Sequence, residues 1–424
     1  MIDKLVSLLK GKNLEWELYW EEGRSSSFVI ERENLERSQR KFYSGVGLRI
    51  GYRGKSGFSY LTGLTHEVST LENFINRTLK LAKVSEVPFV GFPSPSKVPR
   101  VKDLYDGKIE EMPFDEAHTM AKNFAERMRI LKGNATLSGS LVFGVNRYGV
   151  VNSNGVDLEG RSTGMSFSVY AVLSTGTGSY FQSYRSLQSL DELEVGIRSA
   201  LRDAQLSSRA KPLKSHSGEI LLEPEAFQSI ISIFLENLMG DNVYFGRSRF
   251  SVLGEGVGND TLTIIDDSTI DGGSGSYPFD GEGVPGQRTV LIRNGILNSF
   301  LLDYTYASFL GMESTGNAVR DFRTRPYIGT SNLIIEKGHD SFENFEGIVV
   351  KEVFGEHLAN SVSGDFSLAV GLGYVVKNGE AIPFKDNMFT GNVFDVIKTV
   401  KPGGKIKRLG SFYSPRVLVS GTLV

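Results

Sequence analysis

Asp280 and Glu282 stand two positions apart in a glycine-rich stretch, and their spacing could do chemistry. In extended chain they project to one face, where two carboxyls can work as general acid and base. The same spacing equally serves two anchors that accept backbone hydrogen bonds. The stretch, residues 271–295, reads DGGSGSYPFDGEGVPGQRTVLIRNG. Glycine reaches backbone angles closed to other residues and proline fixes them, so the mixture reads as a shaped loop rather than a slack linker. It runs into the apolar segment Thr289-Val290-Leu291-Ile292, as a loop held by a strand does. Loops on rigid scaffolds are where binding and catalysis concentrate.

Other chemistries are narrowed by what the chain lacks. It has no cysteine, which removes disulfides, thiolate nucleophiles, iron–sulfur clusters and cysteine-ligated zinc. The five histidines (His66, His118, His216, His339, His357) are never closer than 18 positions, so no His-Glu-x-x-His helix exists. A ligand set from scattered residues, such as His357 with Glu356 and Asp365, stays open. Asp266-Asp267 could chelate a hard cation or cap the turn after Thr263-Ile264-Ile265. No phosphate-binding loop and no Gly-x-Ser-x-Gly elbow appear, and Gly371-Leu372-Gly373 reads as a strand feature rather than a dinucleotide site.

A net charge of −2 and a pI near 6.3 give no general attraction to nucleic acid or anionic membrane. The basic run 401–408 (KPGGKIKR) reads as a solvated turn. No secretory pattern opens the chain and no 18-residue apolar stretch occurs, so a cytoplasmic address is expected.

A chain of 424 residues predicts two or three domains. We expect an N-terminal α+β domain over 1–95, a central α+β segment over 101–210 and a C-terminal β-rich domain over 215–424. Leu14, Trp16, Leu18 and Trp20 alternate with Glu15, Glu17, Tyr19 and Glu21, predicting a half-buried strand. Further strands are expected at 28–31, 44–52, 57–62, 137–145, 150–152 and 166–173. Helices are expected at 2–9, 68–82, 114–128, 190–204 and 224–239. Four prolines between 88 and 99 mark a boundary, Asn152-Ser153-Asn154-Gly155 reads as a hairpin turn, and 207–217 reads as a linker.

An ordered set of markers then resembles the TldD/PmbA family, also called the modulator of DNA gyrase family. They begin with Gly45-Val46-Gly47-Leu48-Arg49 and Asn152-Ser153-Asn154-Gly155. Phe279-Asp280-Gly281-Glu282-Gly283-Val284-Pro285 follows, with Arg288-Thr289-Val290-Leu291-Ile292 and Asn294-Gly295. The rest are Ser314-Thr315-Gly316-Asn317-Ala318 with Arg320, Pro326, Ser331-Asn332-Leu333, Ser363-Gly364-Asp365-Phe366-Ser367 and Asn378-Gly379-Glu380.

The resemblance implies an α+β fold whose C-terminal domain is antiparallel and barrel-like. It also implies a cytosolic metalloprotease complex of two homologous subunits. The TldD type holds zinc through His-Glu-x-x-x-His and a late cysteine. Here the comparable positions are Pro224, Glu225 and Ser229, and no cysteine is present. The chain therefore resembles the PmbA (TldE) type, with no cofactor of its own and zinc expected in the partner. The implied partners are a TldD-type subunit and unfolded peptide, with a homodimer when alone; nucleic acid and membrane are not expected. Asp280, Glu282, Gly283, Arg320 and Asp365 become candidates for peptide or partner contact. The alternatives are an independently active metallopeptidase with an atypical site and a regulatory binding protein linked to DNA gyrase.

Overall fold

A computed structural model describes residues 1–63 and 65–424. Its first half is built on one six-stranded antiparallel sheet in the order β3-β2-β1-β4-β5-β6. These strands are β1 (Glu15–Glu31), β2 (Asn34–Tyr52), β3 (Lys55–Thr62), β4 (Thr136–Asn152), β5 (Asp157–Leu173) and β6 (Gly176–Tyr184). β1 and β4 pair continuously from Glu17↔Asn152 to Ile30↔Gly139, so segments 1–95 and 101–210 share a single sheet. Several strands outrun the expected lengths. The pieces expected at 137–145 and 150–152 are one strand, and Asn152–Gly155 forms the turn from β4 into β5. The expected linker is helical as far as Arg209.

Helices Ile2–Lys10 and Val68–Val84 pack on one end of the sheet, around Trp16, Leu18, Val46, Leu48 and Ile50. Helices Phe114–Leu131 and Leu190–Arg209 cover the other end, around Phe28, Leu141, Phe167 and Val169. Each helix places its apolar residues on one stripe, which is why it lies flat on the sheet.

The C-terminal region holds a closed barrel of five strands. His216–Leu222, Val417–Leu423, Met388–Asn392, Asp365–Lys377 and Gly347–Phe354 pair in that order, and the last returns to the first. Only the closing pair is parallel. Closure removes the free edges that an open sheet presents. Helix Pro224–Leu235, with proline in its first turn, packs almost wholly buried against the barrel strands. The rest of the expected helix, Glu236–Leu238, tightens into a 3-10 turn.

A second sheet beside the barrel contains Ile264–Asp267, Arg288–Arg293, Leu333–Ile335 and Phe412–Ser414. The glycine-rich stretch 271–287 joins the first two of these and crosses to the N-terminal sheet. No helix among the described residues is long and apolar enough to cross a membrane.

Candidate functional site

The polar side of β1 is covered along part of its length, while Glu15 stays exposed. Glu17 is fully buried and Tyr19 nearly so, because loop 279–285 and segment 318–322 lie over that face of the sheet. Alternation correctly separates the two faces of a strand, but it cannot show that a distant part of the chain covers the polar one. Two glycines in β2 allow the close approach. A Cβ on Gly45 would fall 2.2 Å from the Phe322 ring, and one on Gly47 would fall 2.6 Å from the Phe322 carbonyl.

At the seam four charged side chains interlock. Arg49 Nε donates to Glu17 Oε1 at 2.9 Å, and Arg49 Nη2 donates to Glu17 Oε2 and Glu282 Oε1, each at 2.7 Å. Arg320 Nη1 donates to Glu17 Oε1. Glu282 Oε2 accepts from the Tyr304 amide at 2.9 Å. Burial alone would raise Glu17, but Arg49 and Arg320 more than offset it and hold the carboxyl below its ordinary value. Burial likewise opposes the charge on Arg49, and the two glutamates overcome it. Arg320 is lowered by burial, and its Nε and Nη2 have no hydrogen-bond partner among the described residues. Its guanidinium lies 4.8 Å from the Tyr19 ring centroid, a cation–π contact that compensates in part.

Asp280 does different work from Glu282. Its Oδ1 accepts from the amides of Glu282 and Val284, each at 2.9 Å, and its Oδ2 accepts from the Ala318 amide at 3.0 Å. It therefore anchors the loop through three backbone donors. Burial, and then the charge of Glu282, push its carboxyl well above the ordinary range. Gly283 takes a φ of +83°, and a Cβ there would meet Val156 Cγ1 at 2.8 Å. Glycine is required at that position on both counts. Asp303 caps helix Tyr304–Leu310 by accepting from the Tyr306 amide at 2.7 Å. Burial, and then Glu282, push its carboxyl up to about 7.

Of the two readings of the Asp280/Glu282 spacing, the geometry is that of anchors, and the two carboxyls face different partners. One is saturated by backbone amides, the other by a guanidinium and an amide. Asp280, Glu282 and Arg320 come together here with Gly283, all buried. Asp365 does not join them: it lies exposed at the start of a barrel strand, accepting from Asn392 Nδ2 at 2.9 Å. Asp267 caps the turn at the Thr269 amide, 2.8 Å away. Asp266 is instead an interior anchor, accepting from the Ser331 amide and hydroxyl and from Asn317, with burial raising it to about 6.

Glu17, Arg49 and Asp303 were missed as site residues. Arg49 stood among the quoted family markers, and that was the one signal available for it.

The positions compared with a zinc helix do not fit that metal. Pro224 offers no donor atom, Ser229 stands one turn on, and Glu225 Oε1 accepts from Lys407 Nζ at 2.5 Å. His357 is exposed in the turn Glu356–Leu358. No three His, Asp or Glu side chains gather in a metal-holding arrangement among the described residues.

A six-stranded sheet with helices on one face, clamped by a glycine-rich loop to a region containing a five-stranded barrel, defines a mixed α+β protein. Three family models match along the chain. They are the PmbA/TldA metallopeptidase domain 1 at residues 16–82, the central domain at 107–207 and the C-terminal domain at 215–424. The chain belongs to the PmbA/TldD metallopeptidase family.

An uncharacterized Methanocaldococcus jannaschii protein is 30% identical over 427 residues, covering 100% of this chain and 99% of its own. A zinc metalloprotease TldD homolog of Saccharolobus solfataricus is 26% identical over 403 residues, with 88% and 86% covered. In structure, a Thermotoga maritima protein described as a modulator of a DNA gyrase superposes with a TM-score of 0.88 at 26% identity, over 99% of each chain. TldE of Thermococcus kodakarensis gives a TM-score of 0.88 at 20% identity, over 100% of this chain and 99% of that one, and so speaks for the fold.

Proposed function

We propose that this chain is the non-catalytic, PmbA/TldE-type subunit of a zinc metalloprotease complex that acts on unfolded peptides. The observation that carries the reading is the first turn of helix Pro224–Leu235. Its carboxylate is engaged by a lysine, and its neighbours supply no imidazole or thiolate. A metallopeptidase needs donors that leave an open position for water, and those donors belong to the TldD-type partner. The contribution of this subunit is shape. Loop 279–285, fixed by Asp280 and Glu282, holds the C-terminal region rigidly against the N-terminal sheet, so that the subunit presents a fixed wall to a cleft closed between the two subunits. Backbone along such a wall accepts extended peptide with little regard to its side chains.

The test mixes this chain with a TldD-type subunit from the same organism and assays cleavage of a casein-like unfolded substrate by each alone and by both together. Activity of the mixture above that of either component is expected. Stoichiometric zinc in the isolated chain, together with chelator-sensitive hydrolysis by it, would overturn the reading.

A further inference from the structure

Among the described residues, the helical layer over the N-terminal sheet has a gap. One pair of helices covers the Trp16–Leu18 end and another the Phe28–Ile30 end. Beside helix Ile2–Lys10, over the uncovered stretch of sheet, lies a cleft of about 1030 Å³. Ile2 and Val6 of the first helix form one wall, Leu14 follows, and Trp20 and Val151 of the sheet line it below. All five are partly exposed. The Trp20 indole spreads over Gly149, where a Cβ would fall 2.5 Å from the ring nitrogen. A layered α/β arrangement ordinarily covers such a floor with an amphipathic helix.

The rim has a sign. Asp3, Glu21, Glu22, Asp157 and Glu159 line the cleft against Lys10 and Arg147. Arg147 is already held by Glu22 at 3.2 Å and by Glu159 at 2.5 Å. Asp3 and Asp157 are exposed and make no ion pair among the described residues, and the five carboxylates outnumber Lys10, Arg147 and the Met1 ammonium, so the rim keeps an excess of negative charge. We propose that this cleft docks an amphipathic helix of another polypeptide. The apolar stripe would lie on Trp20, Val6 and Val151, and lysine or arginine side chains would face Asp3 and Asp157. An apolar floor inside an acidic rim selects a basic amphipathic helix over an acidic one. Glu21 and Val156 border both this cleft and the loop 279–285 seam, but Trp20, Val6, Val151, Asp3 and Asp157, which would meet the helix, are not part of the seam cluster, so the inference does not rest on the proposed protease partnership.

Both tryptophans line the cleft, but Trp16 is already buried and Trp20 is partly exposed, so a blue shift on occupation reports on Trp20. The full chain is titrated with three aromatic-free peptides of about five helical turns. They are a leucine/lysine amphipathic helix, its leucine/glutamate counterpart, and a scrambled leucine/lysine peptide without an apolar face. The first is expected to saturate a blue shift of Trp20, weakening as salt rises. The other two are not.

The double substitution Asp3→Lys/Asp157→Lys should weaken the first peptide by about fivefold or more, and Val6→Ser should weaken it at unchanged salt dependence. Calorimetry with Trp20→Phe checks binding apart from the optical signal. Equal binding of the three peptides, no binding of the first, or indifference to the rim reversal each overturns the proposal.

Discussion

Glu282 and Glu225 are both glutamates held by a basic side chain, yet one sits at the seam between the N-terminal sheet and the C-terminal region and the other on a helix turn. The Glu282 side chain is 1% exposed and meets Arg49, 10% exposed. Glu225 is 28% exposed and meets Lys407, 46% exposed. Water screens the second pair and is excluded from the first. A buried pair owes its retention to geometry, since desolvation cancels much of the attraction, but removing one member leaves a charge with nowhere to go. An exposed pair is worth little either way. The seam should therefore respond strongly to single substitutions and the helix turn weakly.

The sharpest break is Arg49→Met. It strips Glu17 and Glu282 of their shared cation in a site closed to water. We expect a loss of about 3–5 kcal/mol in urea unfolding. Adding Glu282→Gln to Arg49→Met should restore part of it, because Glu282 is the carboxylate left without a cation while Glu17 keeps Arg320. A loss under about 1 kcal/mol would place the seam with ordinary surface pairs.

The second test uses pH. Asp303 has its carboxyl raised to about 7 in the folded chain, against an ordinary value of 3.8. A raised acid binds its proton more tightly folded than unfolded. Its contribution is then fully present below the ordinary value and is lost as pH climbs through about 4 to 7. Asparagine keeps a side-chain oxygen for the Tyr306 amide and removes the charge. Asp303→Asn should gain on the parent by about 2–4 kcal/mol between pH 4 and pH 8, read from paired denaturation curves. A constant offset across pH would mean that Asp303 does not titrate in this window.

Much of the scaffold was legible in the sequence, because local periodicity and turn chemistry are local facts. The alternation at Leu14–Glu21 identified β1, the Asn152–Gly155 turn joined β4 to β5, and the stripe along 224–239 marked the buried helix. The loop was legible too, since only glycine suits φ +83° at Gly283. The seam was not. Glu17 and Arg49 are 32 positions apart, and Arg49 and Glu282 are 233 apart. Nothing local distinguishes a strand glutamate facing water from one facing a guanidinium brought from elsewhere. The hidden fact was that the C-terminal region covers the polar face of β1, and that is a property of tertiary packing.

The third test concerns the loop that carries Glu282. Gly283→Ala forces a side chain into a left-handed backbone and against Val156. A cost of about 1–3 kcal/mol is expected, with the substitution loosening Asp280 and Glu282 together. Amide exchange should quicken at Glu282, Val284 and Ala318, the three donors to Asp280.

The smallest effect belongs to the helix turn. Lys407→Met removes the cation facing Glu225, and Glu225→Gln removes the charge facing Lys407. Both groups reach solvent, so each change should cost under about 1 kcal/mol and the double variant should show little coupling. One feature works against that expectation: Glu225 Oε2 is buried and lacks a partner among the described residues, so the carboxylate leans on Lys407 more than its exposure suggests. If the coupling energy exceeds about 2 kcal/mol, the helix turn is a second buried electrostatic site. The contrast with the seam would then be one of connectivity, a single pair against an interlocked set of four, rather than of solvent access.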